Sequence, residues 1–254
     1  MLLLAALGVA AVGLTLCLPP IHQKADYHDF ADARAFHGIP NALNVLSNLP
    51  FFVVGAMGLK ILARPSPSFL EKWERGPVAV VMVAFLLVTF GSAVYHWNPN
   101  DRTLFWDRLP LALVFSSFLG VTLIERVSLC GGALLFLPFL AAGLGSVVYW
   151  AVAGDLRFYV LVQAGSILGI PAMILLFPPR YTGDRTLLLV VALYGLAKTF
   201  ELLDVPVYRM GHLVSGHTLK HAVGGLAAWT YVRLLQRRRP ARAPQSLVPP
   251  APQA

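Results

Sequence analysis

Long apolar stretches separated by short polar segments dominate this chain. A helix needs about 20 apolar residues to cross the hydrocarbon core of a bilayer. Eight stretches come close to that length, so the pattern predicts an all-α integral membrane protein. In chain order, the predicted spans cover residues 2–18, 41–62, 77–97, 107–124, 129–152, 157–178, 186–205 and 212–235.

The first apolar stretch differs from the other seven. It is short, no basic segment precedes it, and it ends in Cys-Leu-Pro-Pro instead of a small-residue cleavage site. We therefore expect residues 1–20 to form an uncleaved hydrophobic helix and not a signal peptide. Residues 21–236 would then form a seven-transmembrane-helix bundle. The basic, Pro-rich segment 237–254 is expected to be a disordered cytoplasmic tail.

Composition supports a membrane protein and excludes some other classes. The chain is 57% hydrophobic and only 13% charged, whereas about 25% charged residues is typical of soluble domains. A net charge of +8 is also common in nucleic-acid-binding proteins, but here much of it lies in short loops and at the C-terminus. That distribution fits orientation in a bilayer, so no nucleic-acid partner is expected. Cys17 and Cys130 lie in apolar runs and provide no disulfide framework.

The loop charges also predict an orientation. With alternating spans, one side of the membrane carries twice as many Lys and Arg residues as the other, which places the C-terminus in the cytoplasm. The ends of the third, fourth and eighth spans then lie together on the non-cytoplasmic face. His96, Asp107 and His217 occupy those three ends. A bacterial inner (plasma) membrane with an outward-facing site fits this arrangement.

Three histidines near those ends have the spacing of a metal site. His217 and His221 are four residues apart and share one helix face, as do the two histidines of helical H-E-x-x-H zinc sites. His96 would add a third neutral imidazole. Zinc favours such a set, with a water molecule of pKa about 7 in the open position. The alternative is that these histidines form hydrogen bonds in the helix core or at the interface.

Two further residues suggest catalysis beside that metal. Ser92 lies four residues before His96 and could donate a hydrogen bond to a developing oxyanion. Asp107 could take a proton from the metal-activated water and pass it to a leaving amine. The alternatives are helix packing for Ser92, and a helix N-terminal carboxylate or a partner of Arg108 for Asp107.

Buried charges also occur in the last two predicted spans. Lys198 and Glu201 can meet on one helix face, and charges inside a membrane need partners. We expect a structural ion pair that also engages Lys220. In the alternative interpretation, these residues together with Asp204 form an outer shell that orients the histidines.

An acidic stretch precedes the second span. Asp26, Asp29 and Asp32, with Asn41 further on, offer oxygen ligands that could hold a calcium ion. The spacing is not that of an EF-hand loop, and a solvated loop is the alternative. Three more polar residues continue at helical spacing and could contact a neighbouring helix or line a cavity: Asn44, Ser47 and Asn48.

Four motifs together resemble the alkaline ceramidase family, within the wider superfamily of seven-span hydrolases that includes the adiponectin and progestin receptors. The resemblance covers roughly residues 26–235. It rests on NALNVLSNLPF at 41–51, SAVYHW at 92–97, FWDRLP at 105–110 and SGHTLKH at 215–221.

The resemblance implies a seven-helix fold with a zinc site buried in the membrane. By motif match, His96, His217 and His221 would be the ligands, Asp107 would act on the zinc-bound water, and Ser92 would stabilise the oxyanion. The implied reaction cleaves the amide of ceramide, or of a related N-acyl lipid, to a fatty acid and a sphingoid base or other amine. The animal enzymes also carry an N-terminal calcium site. Here the chain departs by placing Asn41 where those enzymes have a glutamate, and by the extra first span.

Two other functions are compatible with these features. One is a receptor-like or regulatory membrane protein that keeps zinc for structure. The other is a transporter whose buried charges handle ions, but that class predicts broken helices or internal repeats, and the sequence suggests neither.

Overall fold

The computed structural model describes residues 2–64 and 69–241, and in this part of the chain the regular secondary structure is helical. Short 3₁₀ turns lie at Ala25–His28 and Lys72–Glu74. The α-helices are α1 (Leu2–Cys17), α2 (Ala42–Leu46), α3 (Leu49–Leu62), α4 (Arg75–Trp97), α5 (Asp101–Arg126), α6 (Leu129–Ala153), α7 (Arg157–Leu176), α8 (Asp184–Leu202), α9 (Asp204–Arg209) and α10 (Gly216–Arg237).

Five helical segments of the described chain are long and apolar enough to cross a membrane. They are Ala42–Leu62, Lys72–Trp97, Asp101–Arg126, Leu129–Ala153 and Arg157–Leu176. This confirms the prediction of an all-α protein with several helices able to span a membrane, while the count of seven spans plus one stays a prediction. The apolar part of α1 is shorter, and α8 and α10 are less apolar because they carry charged side chains.

The outward faces of the bundle are apolar, as a lipid environment requires. Val152 on α6 and Leu168 on α7 expose 83% and 70% of their surface. Exposing many large aliphatic side chains to water is unfavourable, whereas the hydrocarbon core of a bilayer accommodates them.

Helix α5 is central: it packs against α4, α6 and α7, while α10 packs against α8 and α3. Gly91 sets how closely α4 approaches α5. A Cβ atom at this position would lie 2.0 Å from the carbonyl oxygen of Trp106, so only glycine permits the contact. Because Gly91 adjoins Ser92, and Trp106 adjoins Asp107, this close approach brings two predicted site residues together.

Residues 18–41 run across the helix ends nearest His96. The backbone N–H of Ile21 donates to Asp155 Oδ1 (3.2 Å), and Ala31 N–H donates to Asp204 Oδ2 (3.0 Å). These anchors fasten the segment to the loop before α7 and to the start of α9. The segment therefore covers one end of the bundle.

The first residues of the expected disordered tail contact the bundle. Arg238 is buried, and its Nη1 donates to Glu125 Oε1 at 2.6 Å, while the backbone N–H of Arg239 donates to Thr182 Oγ1. The gain from pairing a buried guanidinium with a carboxylate holds the chain in place as far as residue 241. The remainder of the expected tail, 242–254, lies outside the described residues.

Candidate metal centre

The three predicted histidine ligands come together at the covered end of the bundle. His96 lies in the last turn of α4, and His217 and His221 lie in the first two turns of α10. All three are buried, and one ring nitrogen from each lies within 4.8 Å of the others. The helical i, i+4 spacing aligns two of them, but only the packing of the bundle adds His96.

The geometry of the donor set fits a tetrahedral metal ion. The Nε2 atoms of His217 and His96 are 3.2 Å apart. Two ligand nitrogens around a tetrahedral zinc, each about 2.0–2.1 Å from the ion, are separated by about 3.3 Å. The Nδ1 atom of His96 is buried and has no hydrogen-bond partner in the described chain. Three imidazoles whose ring nitrogens converge this closely can share one cation.

A serine fixes the orientation of His221. Ser47, the residue that follows α2, places its Oγ atom 2.8 Å from His221 Nδ1. The same hydroxyl donates to the carbonyl oxygen of Asn44 (3.2 Å), so it accepts from an Nδ1–H. That tautomer leaves the Nε2 lone pair free for a metal, an arrangement typical of ligating histidines. The polar spacing along the second predicted span had indicated Ser47, although not its role.

The start of α10 is held by contacts that position His217. The Ser215 side chain caps the helix by accepting from Thr218 N–H at 3.1 Å. A Cβ atom on Gly216 would lie 2.3 Å from the carbonyl oxygen of Phe200, so glycine is required where α8 meets α10. Asp204 Oδ1 accepts from the backbone N–H of His217 at 2.7 Å. Asp204 therefore orients this histidine through its backbone and not through its ring.

Phe30 covers the cluster and was not identified from the sequence. Its ring centroid lies 4.7 Å from those of both His96 and His217. Nearby, His28 Nδ1 lies 3.0 Å from the Tyr95 hydroxyl, which fixes the covering segment to α4. A single aromatic residue in a polar stretch carries no sequence signal for such a role. Its effect is to exclude water from one side of the imidazoles.

Ser92 and Asp107 face each other across the α4–α5 interface. Both are buried, and the Ser92 hydroxyl hydrogen-bonds with the Asp107 carboxyl group. Ser92 lies one turn before His96 on the same helix. The two predicted catalytic side chains therefore lie beside the metal cluster, as the four-residue spacing suggests.

Ser92, Asp107 and His221 line one end of a cavity of about 320 Å³. Most of the remaining wall is apolar and comes from α4, α5, α7, α8 and α10. Along α10, the wall extends from His221 to Tyr231, roughly 15 Å at 1.5 Å per residue. The result is an elongated apolar space with a polar end.

The partly buried charges of α8 and α10 form an ion-paired group in the cavity wall. Lys220 Nζ lies 2.8 Å from Glu201 Oε1, and Lys198 pairs with Glu201 Oε2. These side chains hydrogen-bond to one another and not to the imidazoles. This is the expected structural ion pair, while contacts that orient the histidines come from Ser47 and Asp204.

The structure does not assemble the calcium site expected from four residues. Both carboxylate oxygens of Asp32 accept from Arg34, each at 2.8 Å, and these hydrogen bonds hold the pKa of Asp32 below its ordinary value. Asn41 donates its amide to the carbonyl oxygen of His96 (2.8 Å). Asp26 and Asp29 are exposed. Among residues 2–64 and 69–241, the histidine cluster alone groups three or more His, Cys, Asp or Glu side chains at metal-binding distances.

Fold and site together define a helical membrane protein with a buried three-histidine cluster able to hold a metal ion. Comparison with protein-family models and with curated proteins finds no match for this chain. Its own residues are therefore the basis for a functional assignment.

Proposed function

We propose that this protein is a zinc-dependent intramembrane amidase. Its substrate would be ceramide or a related N-acyl lipid, and its products a fatty acid and a sphingoid base or other amine. The observation that carries the proposal is the shared cavity: His221, Asp107 and Ser92 line the polar end of a space that is otherwise apolar. A lipid chain fits the apolar part and leaves its amide beside these three groups.

The three imidazoles would hold zinc. When bound, zinc would polarise a carbonyl group and lower the pKa of a water molecule, so that hydroxide is available as a nucleophile at neutral pH. Asp107 accepts the proton of the attacking water and delivers it to the nitrogen of the amide. Ser92 donates a hydrogen bond to the carbonyl oxygen as negative charge develops there. One water is consumed for each C–N bond broken, so that R–CO–NH–R′ and H₂O give R–COOH and H₂N–R′.

The same proposal includes the arrangement in the membrane. Seven spans would form a core of the alkaline ceramidase type, with α1 as an additional N-terminal helix. The excess of Lys and Arg on one side favours a cytoplasmic C-terminus. The histidine end would then face the non-cytoplasmic side of a bacterial inner membrane. Lateral entry between helices would let a substrate keep its chains in the bilayer.

The test is purification in detergent, metal analysis, and an assay of fatty acid release from ceramide and simple N-acyl amides. We expect about one zinc per chain and hydrolysis of at least one of these lipids. His217→Ala should lose both, whereas His22→Ala, which changes an exposed histidine outside the cluster, should lose neither.

Three results would count against the proposal. If well-folded protein contains no zinc, the proposed metal-dependent mechanism has no basis. Zinc-loaded protein in which His217→Ala hydrolyses lipids as well as wild type removes the catalytic role. Zinc without hydrolysis of any N-acyl lipid favours a receptor-like or regulatory protein with a structural zinc.

A further inference from the structure

Arg108 is an unusual charge in the cavity wall. It follows Asp107 on α5, is 5% exposed, and lines the same cavity. Its guanidinium carbon lies 4.1 Å from the ring centroid of Trp150, and Tyr159 and Tyr27 lie 5.2 and 5.4 Å away. Aromatic rings therefore surround the cation and shield it from solvent.

The hydrogen-bonding capacity of Arg108 is only partly filled. Its Nη2 donates to Gln23 Oε1 at 2.5 Å, but its Nη1 is buried without a hydrogen-bond partner. No carboxylate of the described chain forms a salt bridge with it. By contrast, Arg157, the first residue of α7, has a salt bridge to Asp155 at 2.8 Å. A buried cation without an ionic partner is costly unless a ligand supplies the anion.

The other charged side chains of the cavity do not supply an anion for Arg108. The charged residues that line the cavity are three cations and two carboxylates: Arg108, Lys198, Lys220, Asp107 and Glu201. The single carboxylate of Glu201 is shared by the two lysines, and Asp107 is bonded to Ser92. The cationic side chains of the cavity wall therefore outnumber its carboxylates by one, and a zinc ion at the histidines would add to this positive charge.

We propose that Arg108 makes this cavity selective for acyl lipids whose amine portion carries a carboxylate, as in N-acyl amino acids. The inference rests on the proposed amidase function and names its substrate class. An anionic group would offset part of this positive charge, and a carboxylate oxygen can accept from the free Nη1. The acyl chain would lie in the apolar part of the cavity, with the amide beside Asp107, one residue away from Arg108. Ceramide has no anionic group and would leave the guanidinium without an ionic partner.

Equilibrium binding in detergent tests the inference without requiring turnover. The probe is a ketone analogue of N-lauroylglycine, in which CH₂ replaces the amide NH, compared with its uncharged methyl ester by calorimetry. We expect the wild-type protein to bind the acid at least tenfold more tightly than the ester. Arg108→Met should abolish this difference, and Arg108→Lys should keep part of it. Arg102→Met, an exposed arginine on the same helix, should behave as wild type.

Equal binding of acid and ester by wild type would overturn the inference, as would equal weakening of both ligands by Arg108→Met. If Arg108→Met does not fold, the wild-type comparison and Arg108→Lys still decide.

Binding of lauric acid and measurements of turnover show whether Arg108 recognises the carboxylate of the substrate or that of the fatty acid product. A selective site gives N-lauroylglycine a higher kcat/KM than N-lauroylethanolamide, in an Arg108-dependent way. Equal kcat/KM values, with tight binding of lauric acid, assign Arg108 to the product and overturn the substrate assignment. Absence of zinc or hydrolysis refutes the amidase but does not alter the acid-ester comparison.

Discussion

Two buried polar clusters lie near opposite ends of α5 and differ in how their groups are satisfied. Asp107 lies at the histidine end and Glu125 at the other, roughly 27 Å away along the helix. At the far end, which we call the ion-pair end, Glu125 pairs with Arg238 at 2.6 Å and Arg126 with Asp184 at 2.5 Å. These pairs join α5 to the segment after α10 and to the start of α8.

At the histidine end, three imidazoles converge, and Arg108 lies in the cavity wall without a carboxylate partner. Guanidinium nitrogens of Arg108, Arg126 and Arg238 lack hydrogen-bond partners, but of these three arginines only Arg108 has no salt bridge in the described chain. Opposite charges that pair within the chain stabilise the fold, whereas converging imidazoles and an unpaired cation beside a cavity indicate a place for a ligand. We therefore expect changes at the ion-pair end to affect stability, and changes at the histidine end to affect metal binding and activity.

The largest expected effect tests the ion-pair end. Glu125→Ala removes the carboxylate and leaves Arg238 buried without its ionic partner, which should cost about 3–5 kcal/mol of unfolding free energy. Zinc bound per folded molecule should stay unchanged. Denaturant unfolding in detergent and metal analysis measure the two quantities. As a control, Asp101→Ala breaks a pair whose acid is 66% exposed, and it should cost about 0–1 kcal/mol. Similar costs for both variants would contradict this interpretation.

Gly91→Ala tests whether the close approach of α4 and α5 is needed at the histidine end. The added Cβ atom would lie 2.0 Å from the Trp106 carbonyl oxygen, so the helices must separate. Overpacking of this kind costs about 1–3 kcal/mol. Lipid hydrolysis should fall by more than the folded fraction does, because Ser92 and Asp107 move apart. Gly145→Ala, where a Cβ atom meets nothing within 4 Å, is the matched control. Full activity in folded Gly91→Ala protein would show that the separation does not matter.

Ser47→Ala separates the role of a supporting residue from that of a ligand. Loss of the hydrogen bond to His221 Nδ1 frees the imidazole to rotate, so zinc affinity should fall about 10–100-fold. Competition with a chelator measures this change, and stability of the metal-free protein should be almost unaffected. The control is Ser117→Ala, since the Ser117 hydroxyl bonds only to carbonyls of its own helix. Equal zinc affinity in the two variants would assign Ser47 to packing alone.

The smallest effect concerns the segment that covers the histidine end. Hydrogen bonds from Arg34 lower the pKa of Asp32 below its ordinary 3.8. The stabilising contribution is therefore present above pH 3.8 and is lost as the pH falls through the lowered pKa. The protection factors of the amides in residues 31–42, which correct for the pH dependence of intrinsic exchange, should fall in that range. Asp32→Asn should show faster exchange at neutral pH and a weaker response to acid. An identical acid response in wild type and Asp32→Asn would assign the change to another group.

Much of the fold and part of the site could be predicted locally. Apolar stretches about as long as a bilayer is thick predicted helices that the structure contains, and the spacing of His217 and His221 predicted a shared face. Both signals are periodic and lie within one helix. The residues of the expected calcium site do not group in the structure, because the density of acidic residues does not show where each side chain points. Asp32 turned towards Arg34, and Asn41 towards the backbone of His96.

The apolar helices, the paired histidines on α10, and the positions of His96, Ser92 and Asp107 near helix ends follow from the sequence alone. Tertiary packing is needed to cluster the three histidines and to place His221, Ser92 and Asp107 in one cavity, since α4, α5 and α10 meet through contacts that are distant in sequence. The close approach at Gly91, the bond from Ser47 to His221 and the cover by Phe30 are likewise long-range. The unpaired Nη1 of Arg108 is visible only there, because whether a buried charge has a partner depends on every helix packed around it.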